Sequence, residues 1–219
     1  EALHAIKVLR LSEGDEMFLM DGCGTFYRAT VSLVSKRHCM YAIADTLPQD
    51  KAWRGRIHLA IAPTKMMERM EWLAEKATEI GFDELSFLNC KFSERHQIRV
   101  DRIDKIVVAA TKQSSKPWKP QVNDIQNFAD FIRQPRQGYK YIAHCYNEIE
   151  RTDFLNEIQA LPADEHVTVL VGPEGDFSID EVRLAMENGY KPITLGNSRL
   201  RTATAGLMGV AMAQITKRK

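Results

Sequence analysis

The 219-residue sequence has no hydrophobic run near the roughly 20 residues that a membrane-spanning helix needs. Its four cysteines (Cys23, Cys39, Cys90 and Cys145) are scattered, which argues against a disulfide framework and indicates reduced thiols. Neither sign of charge is in excess, since 30 basic and 29 acidic residues give a net charge of +1. Any basic surface for a nucleic acid must therefore be local. The chain also lacks a signal-peptide pattern and an initiating methionine, so we expect a cytoplasmic protein with residues missing upstream.

Nucleotide-binding and metal-binding motifs are missing as well. The nearest approach to Gly-x-Gly-x-x-Gly is Gly22-x-Gly24, which falls in a predicted hairpin, and no P-loop motif occurs. These absences argue against a dinucleotide-dependent dehydrogenase and a P-loop nucleotidase. No His-Glu-x-x-His motif or paired His/Cys spacing occurs either, so we predict no metal centre.

The first fifty residues predict a small β-rich domain. Residues 17–20 lead into Asp21-Gly22, a hairpin signal, and further strands are predicted at 27–34 and 39–44. Polarity rises at residues 48–51, which indicates a linker. We predict a β-barrel or meander over residues 1–50.

Strands and helices alternate between residues 55 and 219. Apolar runs predict strands at residues 57–62, 84–88, 139–143, 167–171 and 192–195. Apolar spacing and capping signals predict helices at residues 66–80, 101–114, 151–160, 178–188 and 202–217. This alternation predicts an α/β domain whose mainly parallel sheet is covered by helices on both faces.

The first informative turn of this domain is Gly172-Pro173-Glu174-Gly175, which directly follows a buried strand. Its two glycines allow a sharp bend with outward-facing amides. Ser178 and Glu181 then form a capping box, with Phe177 and Val182 as its hydrophobic staple. The next helix therefore has a well-defined start at the carboxyl edge of the sheet.

A second turn repeats this pattern. Gly196-Asn197-Ser198 follows a short strand, and residues 199–202 lead into a last helix rich in alanine and glycine. Such a helix packs close to other backbone, either within its own fold or against a partner subunit. Because open α/β sheets hold ligands at the carboxyl ends of their strands, the two turns predict a pocket with Glu174 and Arg201 beside it.

Five segments, in order along the chain, carry a resemblance to a known family. Residues 171–178 (VGPEGDFS) and 195–205 (LGNSRLRTATA) are similar to the "(I/V)GPEGG(F/L)S" and "LGxxxLRTETA" segments of SPOUT-class methyltransferases of the RsmE type. That family methylates uridine N3 in small-subunit (16S) ribosomal RNA. The other matching segments are residues 4–10 with Gly14-Asp15, residues 76–81, and residues 112–116 with Pro120.

The resemblance implies a PUA-like β-barrel that binds RNA over residues 1–50, and a SPOUT domain with a C-terminal deep trefoil knot over residues 55–219. It also implies a homodimer that acts on small-subunit ribosomal RNA or the assembled 30S subunit, without a metal. S-adenosylmethionine would lie in the knot among three loops. The cofactor-binding residues implied are His144, Leu170, Val171, Gly172, Pro173, Glu174, Gly175, Leu195, Gly196, Leu200, Arg201, Thr202 and Thr204.

Catalysis at uridine N3 requires that its proton leave, so the site needs a base or a cation that stabilises the uracil anion. We assign Arg201 the cationic role; the alternative is an arginine that pairs with carbonyl groups of the last strand. Glu174 is either the base or a residue that orients its loop. His144 is a further candidate base, although a lone histidine after a strand is more often an ordinary buried residue.

Basic residues grouped near an aromatic one predict where RNA binds. As a set they would contact phosphates and a stacked base, whereas each alone is equally explained as a solvated charge. The predicted RNA-binding residues are Arg10, Arg28, Lys36 and Arg37 in the N-terminal domain, and Lys112, Lys116, Trp118 and Lys119 farther on.

Three positions depart from the family pattern: Lys116 replaces arginine, Asp176 replaces glycine and Ala203 replaces glutamate. The loss of a carboxylate at Ala203 motivates a second hypothesis. In it, the chain is a catalytically weakened or inactive RNA-binding or ribosome-assembly protein of the same fold. Binding of S-adenosylmethionine distinguishes the two hypotheses.

Overall fold

The computed structural model describes residues 2–36 and 38–219, apart from the side chain of His4. The chain divides into two compact units. The first contains residues up to Lys51 together with Ser115–Trp118, and the second contains Ala52–Ser114 and Lys119–Lys219. The return of Ser115–Trp118 to the first unit has no signal in the sequence.

The first unit is an antiparallel meander preceded by a short helix. Its predicted hairpin is confirmed: the Asp21 carboxylate closes the turn by accepting hydrogen bonds from the backbone N–H groups of Cys23 (2.7 Å) and Thr25 (3.1 Å). Gly22 and Gly24 have positive φ angles there, of 72° and 103°. The elements, with the strands in the order β1-β2-β3, are α1 (Ala2–Lys7), β1 (Glu16–Met20), β2 (Thr25–Val34) and β3 (Cys39–Pro48).

The second unit confirms the predicted α/β domain with a parallel sheet. Over the described residues, seven strands pair in the order β6-β5-β4-β9-β7-β10-β8, and every pairing is parallel. The strands are β4 (Arg56–Ile61), β5 (Glu84–Asn89), β6 (Gln121–Asn127), β7 (Tyr139–Ala143), β8 (Thr152–Asp153), β9 (His166–Val171) and β10 (Tyr190–Thr194). The helices are α2 (Met67–Ile80), α3 (Val100–Gln113), α4 (Phe128–Arg133), α5 (Phe154–Gln159), α6 (Ile179–Glu187) and α7 (Thr202–Lys217).

The two faces of the sheet carry separate apolar cores because side chains alternate along each strand. In β4, Ile57, Leu59 and Ile61 join the core formed with α2, α3, α5 and α7. Ala60 and Ala62 belong to the opposite core, which contains residues of α4 and α6. The predicted coverage of both faces is therefore confirmed.

Three differences from the sequence predictions have local causes. The polar strand β6 and the short helix α4 were not predicted; β6 is an edge strand, so its QVNDIQN sequence lacks an apolar run. The helix predicted at 151–160 begins only at Phe154, because Asp153 caps it by accepting a hydrogen bond from the N–H of Asn156 (3.0 Å). Thr152 and Asp153 pair with β10 instead.

The small residues of α7 allow this helix to lie directly on the sheet. A Cβ atom on Gly206 would come within 2.9 Å of Ile61 Cδ1, and one on Gly209 within 3.3 Å of Val169 Cγ1. Of the two explanations for this composition, close packing inside the fold is thus confirmed for both glycines.

A buried histidine should make the folded state sensitive to acid. His58 lies 4% exposed, with Nε2 2.8 Å from Ser86 Oγ, and burial lowers its pKa to about 4. Between pH 4 and 6.5 the unfolded chain binds a proton at this histidine that the folded chain excludes. The contribution of His58 to the free energy of unfolding is therefore fully present above pH 6.5 and is lost as the pH falls towards 4. From this group alone we expect a loss of about 3 kcal/mol in the free energy of unfolding.

Urea unfolding at pH 7.0 and pH 4.5 measures this loss. A His58→Gln variant should show a smaller difference between the two pH values, whereas substitution of the exposed His96 should leave the difference unchanged. An equal acid-induced loss in the His58 variant would contradict the assignment.

Candidate functional site

A cleft of about 1080 Å³ opens at the carboxyl ends of β7, β9 and β10. These three strands end at the same edge of the sheet because all their pairings are parallel. The cleft is lined by residues 143–147, 149–151, 171–176, 193–202 and 205. Three loops that are distant in sequence therefore form one cavity.

Most of the predicted cofactor-binding residues line this cleft. Leu170 does not, since it is fully buried in the core beneath α4 and α6, and exposed Thr204 also lies outside the lining. The predicted residues that line the cleft are His144, Val171, Gly172, Pro173, Glu174, Gly175, Leu195, Gly196, Leu200, Arg201 and Thr202.

The loop after β9 is held in a tight conformation. Its turn closes with a hydrogen bond from the N–H of Asp176 to the carbonyl of Pro173 (3.0 Å). A Cβ atom on Gly172 would lie 2.9 Å from the backbone N of Phe177, which requires glycine at this position. The predicted capping box of α6 is confirmed, with Ser178 accepting from Glu181 N and the Glu181 carboxylate accepting from Ser178 N.

Glu174 connects this loop to the segment after β4. Its Oε1 accepts a hydrogen bond from the backbone N–H of Lys65 (3.0 Å). The contact favours the loop-orienting role over the catalytic base, because one carboxylate oxygen is already committed to the backbone.

The loop after β7 places a neutral donor in the wall of the cleft. His144 is 4% exposed, and its Nδ1 accepts a hydrogen bond from the N–H of Tyr146 (3.1 Å). Burial lowers the pKa of His144, so the imidazole is neutral and carries its proton on Nε2. Within the described part of the chain, this buried Nε2 has no hydrogen-bond partner. An acceptor atom on a ligand would remove that deficit.

The loop after β10 exposes an arginine at the start of α7. Gly196 allows the turn with a φ of 116°, and the Thr194 hydroxyl donates to its carbonyl (2.8 Å). Arg201 is the N-cap residue of α7, and its carbonyl accepts from the N–H of Ala205 (2.8 Å). Its exposed guanidinium makes no hydrogen bond or ion pair with any described residue. This geometry does not favour the alternative in which Arg201 pairs with strand carbonyls.

Three further cleft residues, Asp176, Tyr146 and Arg151, were not predicted as site residues. Cys145, which the family resemblance places with His144 in the first cofactor loop, lines the cavity too. The Asp176 carboxylate accepts from the N–H of Cys145 (2.8 Å), and Arg151 donates to the carbonyl of His144 (2.7 Å). Only Asp176 left a signal in the sequence, because it replaces a family glycine.

The predicted RNA-binding residues of the first unit differ in what they contact. The Arg28 Nε donates to the Asp45 carboxylate at 2.6 Å, and its guanidinium also lies 3.5 Å from Glu16. Arg10 and Lys36 are exposed, and Arg37 lies outside the described residues.

Trp118 packs within the first unit. A Cβ atom on Gly24 would lie 2.3 Å from its ring, its Nε1 donates to the carbonyl of Gln49 (3.1 Å), and Lys51 Nζ lies 5.2 Å from the ring centroid. These contacts hold Ser115–Trp118 in place and leave the indole only partly exposed.

The three nearby lysines also have different environments. Lys112 is exposed, and burial lowers the pKa of Lys116. Lys119 forms an ion pair with Asp104.

Residues 2–36 and 38–219 contain neither a metal-binding cluster nor a helix suited to cross a membrane. There is no cluster of three or more His, Cys, Asp or Glu side chains arranged to hold a metal ion. No helix in these ranges has the length and apolar character that crossing a membrane requires.

Comparison with known proteins places these features in a family. The family model described as "RNA methyltransferase domain" matches residues 51–214, which is well over half of the chain. The chain belongs to the RNA methyltransferase family. A second model, "RNA methyltransferase PUA domain", matches residues 1–39.

Individual relatives of this RNA methyltransferase cover nearly its whole length. The ribosomal RNA small subunit methyltransferase E of Rickettsia conorii is 25% identical over 97% of this chain and 86% of its own. A probable rRNA-methyltransferase structure from Porphyromonas gingivalis is 36% identical, with a TM-score of 0.92 over 98% of this chain and 90% of that one. A putative methyltransferase of Legionella pneumophila, solved with bound SAM, is 26% identical, with a TM-score of 0.86 over 98% and 88%.

Proposed function

We propose that this chain transfers a methyl group from S-adenosylmethionine to N3 of a uridine in small-subunit ribosomal RNA. The observation that carries the proposal is the cleft itself, which the three motif-bearing loops line together. Its wall includes His144, whose buried Nε2 has no hydrogen-bond partner among the described residues. The names of relatives from Rickettsia and Legionella agree with the substrate and the cofactor. We place this activity in the cytoplasm.

The residues present fit the proposed cofactor. The cleft volume of about 1080 Å³ is slightly above the range of roughly 300–1,000 Å³ that is usual for small-molecule sites, so the cofactor has room to bind. The glycine at 172 leaves the turn free of a side chain, and the neutral His144 supplies one donor. The bound cofactor would supply a methyl group on a cationic sulfur, and the chain would bind, orient and exclude water.

Arg201 is the residue that we propose stabilises the uracil anion. Its guanidinium lies at the cleft, exposed and uncommitted to any described residue, so it is available for a carbonyl oxygen of the base. Glu174 is proposed to orient its loop through Lys65 N. His144 is proposed as a neutral donor rather than the base, because burial lowers its pKa and its Nδ1 already accepts a hydrogen bond.

The finer architecture is also a proposal. We propose that residues 1–50 form a PUA-like barrel for RNA and that residues 55–219 form the methyltransferase domain with a C-terminal trefoil knot. The match of residues 1–39 to the PUA model supports the first part. The second part rests on the resemblance of residues 171–178 and 195–205 to the family's segments.

A homodimer is proposed through α2 and α7, which contact each other. Large apolar side chains remain exposed on or beside them although both helices also pack on the sheet. These side chains are Met66 (50% exposed), Trp72 (43%), Met208 (37%) and Ile215 (55%). A second copy would cover them and exclude water from this surface.

RNA or the assembled 30S subunit is the proposed partner. Arg10, Lys36 and Lys112 are exposed basic residues, which suits phosphate contacts that weaken with salt. Trp118 is a weaker candidate for base stacking than its sequence context predicted, because Gly24 and Lys51 already flank its ring.

The second candidate, an inactive assembly protein, is favoured only by the buried Ala203 at the position of the family glutamate. Titration calorimetry with S-adenosylmethionine separates the two functions, since we expect binding in the micromolar range for the enzyme. Mass mapping of small-subunit RNA from a deletion strain should then reveal one uridine that lost its methyl group. Absence of cofactor binding would refute the enzymatic proposal.

A further inference from the structure

Asp176 has a backbone conformation that favours glycine. Its φ is 68°, in the left-handed region where side chains other than Asn and Asp are strained. A glycine would adopt this φ more easily. An aspartate at this position adds a carboxylate that can make contacts a glycine would lack.

Two backbone N–H groups donate hydrogen bonds to the carboxylate. Oδ1 accepts from the N–H of the next residue, Phe177, at 2.8 Å. Oδ2 accepts from the N–H of Cys145, in the loop after β7, at 2.8 Å. Hydrogen bonds to an ionised acceptor are stronger than those between neutral groups. The first bond fixes the rotamer, and the second reaches across to another wall of the cleft.

A neighbouring bond reinforces the same connection. The Tyr146 hydroxyl donates to the carbonyl of Phe177 at 2.8 Å, and Phe177 is fully buried in the core beside α6. The end of the β9 loop is thus anchored, and residues 145 and 146 are attached to it. Because Tyr146 N also donates to His144 Nδ1, the position of the buried imidazole depends on the same attachment.

We propose that Asp176 is a positioning residue. Its hydrogen bonds to Cys145 N and Phe177 N, which we call the Asp176 clasp, hold the loops after β7 and β9 together and keep the cleft at the width that its cofactor needs. The proposal rests on the proposed function, because the cofactor is S-adenosylmethionine. Asp176 itself need not touch the cofactor. Its effect is transmitted through Cys145 N and the adjoining His144.

Three substitutions at Asp176 remove its hydrogen bonds to different extents. Asp176→Asn keeps one acceptor oxygen, so it can satisfy only one of the two N–H groups, whereas Asp176→Gly and Asp176→Ala satisfy neither. The glycine variant also relieves the positive φ, so its fold should remain stable. Asp180→Asn is the matched control, because Asp180 is exposed, lies four residues away and makes no contact with residues 144–146 through a hydrogen bond.

The first measurement is hydrogen exchange of the ligand-free protein. In Asp176→Gly and Asp176→Ala, the Cys145 amide should exchange at least about tenfold faster, since it loses its bond to a charged acceptor, and the neighbouring amides of residues 144–147 should also exchange faster because their loop is released. Asp176→Asn should fall between these variants and the wild type. Asp180→Asn should exchange at the wild-type rate over the same residues.

The second measurement is titration with S-adenosylmethionine and with its demethylated product, S-adenosylhomocysteine. Loss of the clasp should weaken both by about tenfold, because both need the same cleft geometry. Weaker binding of the sulfonium compound alone would show that Asp176 acts through its charge, which overturns the clasp. Unchanged exchange and unchanged affinity in Asp176→Gly would overturn it as well.

The two proposals fail in different ways. If the wild-type protein binds neither compound, the proposed function fails, while the exchange measurement still decides whether Asp176 holds the two loops together. If the wild type binds the cofactor, and Asp176→Gly shows the same exchange rates and the same cofactor affinity, only the proposal for Asp176 fails.

Discussion

Replacement of Arg201 by alanine should reduce the rate of methyl transfer by about a hundredfold to a thousandfold, as removal of a donor to a developing anion does in other enzymes. The affinity for S-adenosylmethionine should change by less than about threefold, since the interaction is made mainly in the transition state. The fold should be preserved because the guanidinium is exposed and the contact to Ala205 N uses the backbone carbonyl. Single-turnover methylation of small-subunit RNA, with calorimetric titration of the cofactor, measures both quantities.

Arg201→Lys and Arg199→Ala are the controls for this prediction. The lysine keeps the charge but not the planar fork, so we expect an intermediate rate. Arg199 is exposed on the same loop and lines the same cleft, which makes it a matched control. Because only Arg201 is proposed to face the uracil anion, the loss of Arg199 should cost much less. A higher pH should partly restore the Arg201→Ala rate, because uridine N3 then loses its proton without help. Full activity of Arg201→Ala would leave the residue with a structural role only.

Replacement of Gly172 by alanine should lower turnover by about a hundredfold, the cost expected when a reacting group is displaced by about 1 Å. The new Cβ would lie 2.9 Å from Phe177 N and 3.1 Å from Phe177 Cδ2. Phe177 is fully buried and cannot give way, so the turn itself must open. Cofactor affinity should fall together with turnover, and steady-state kinetics with varied S-adenosylmethionine tests this.

Gly175→Ala is the matched control in the same turn. Its Cβ would lie 3.3 Å from the nearest atom, Phe92 Cβ, so Phe92 must shift by only a few tenths of an ångström, and this residue is 47% exposed in a surface turn. We expect a much smaller loss of turnover there than at Gly172. Equal losses at the two glycines would mean that the turn tolerates no added atom at all, and the specific clash with Phe177 would not be the cause. Melting curves should confirm that both variants remain folded.

Local sequence patterns predicted those features that depend on residues close together in the sequence. The capping box of Ser178 and Glu181 and the hairpin at Asp21 were predicted because each depends on residues three or four positions apart. By contrast, the contact between Glu174 and Lys65 joins residues 109 positions apart, and no periodicity records it. The same holds for the ion pair of Arg28 with Asp45, which changes the environment of a predicted RNA-binding residue.

The sequence by itself determined the alternation of strands and helices, the sharp turn at Gly172 and the small-residue face of α7, because periodicity, capping and side-chain size act locally. Only the tertiary structure decided which strand ends meet, since the order β9-β7-β10 brings three separate loops to one cleft. It also decided that His144 Nε2 is buried without a partner among the described residues, and that Asp176 connects two walls of the cleft. Both depend on contacts between segments that are far apart in sequence. These segments meet, and their contacts contribute free energy, only once the sheet has formed.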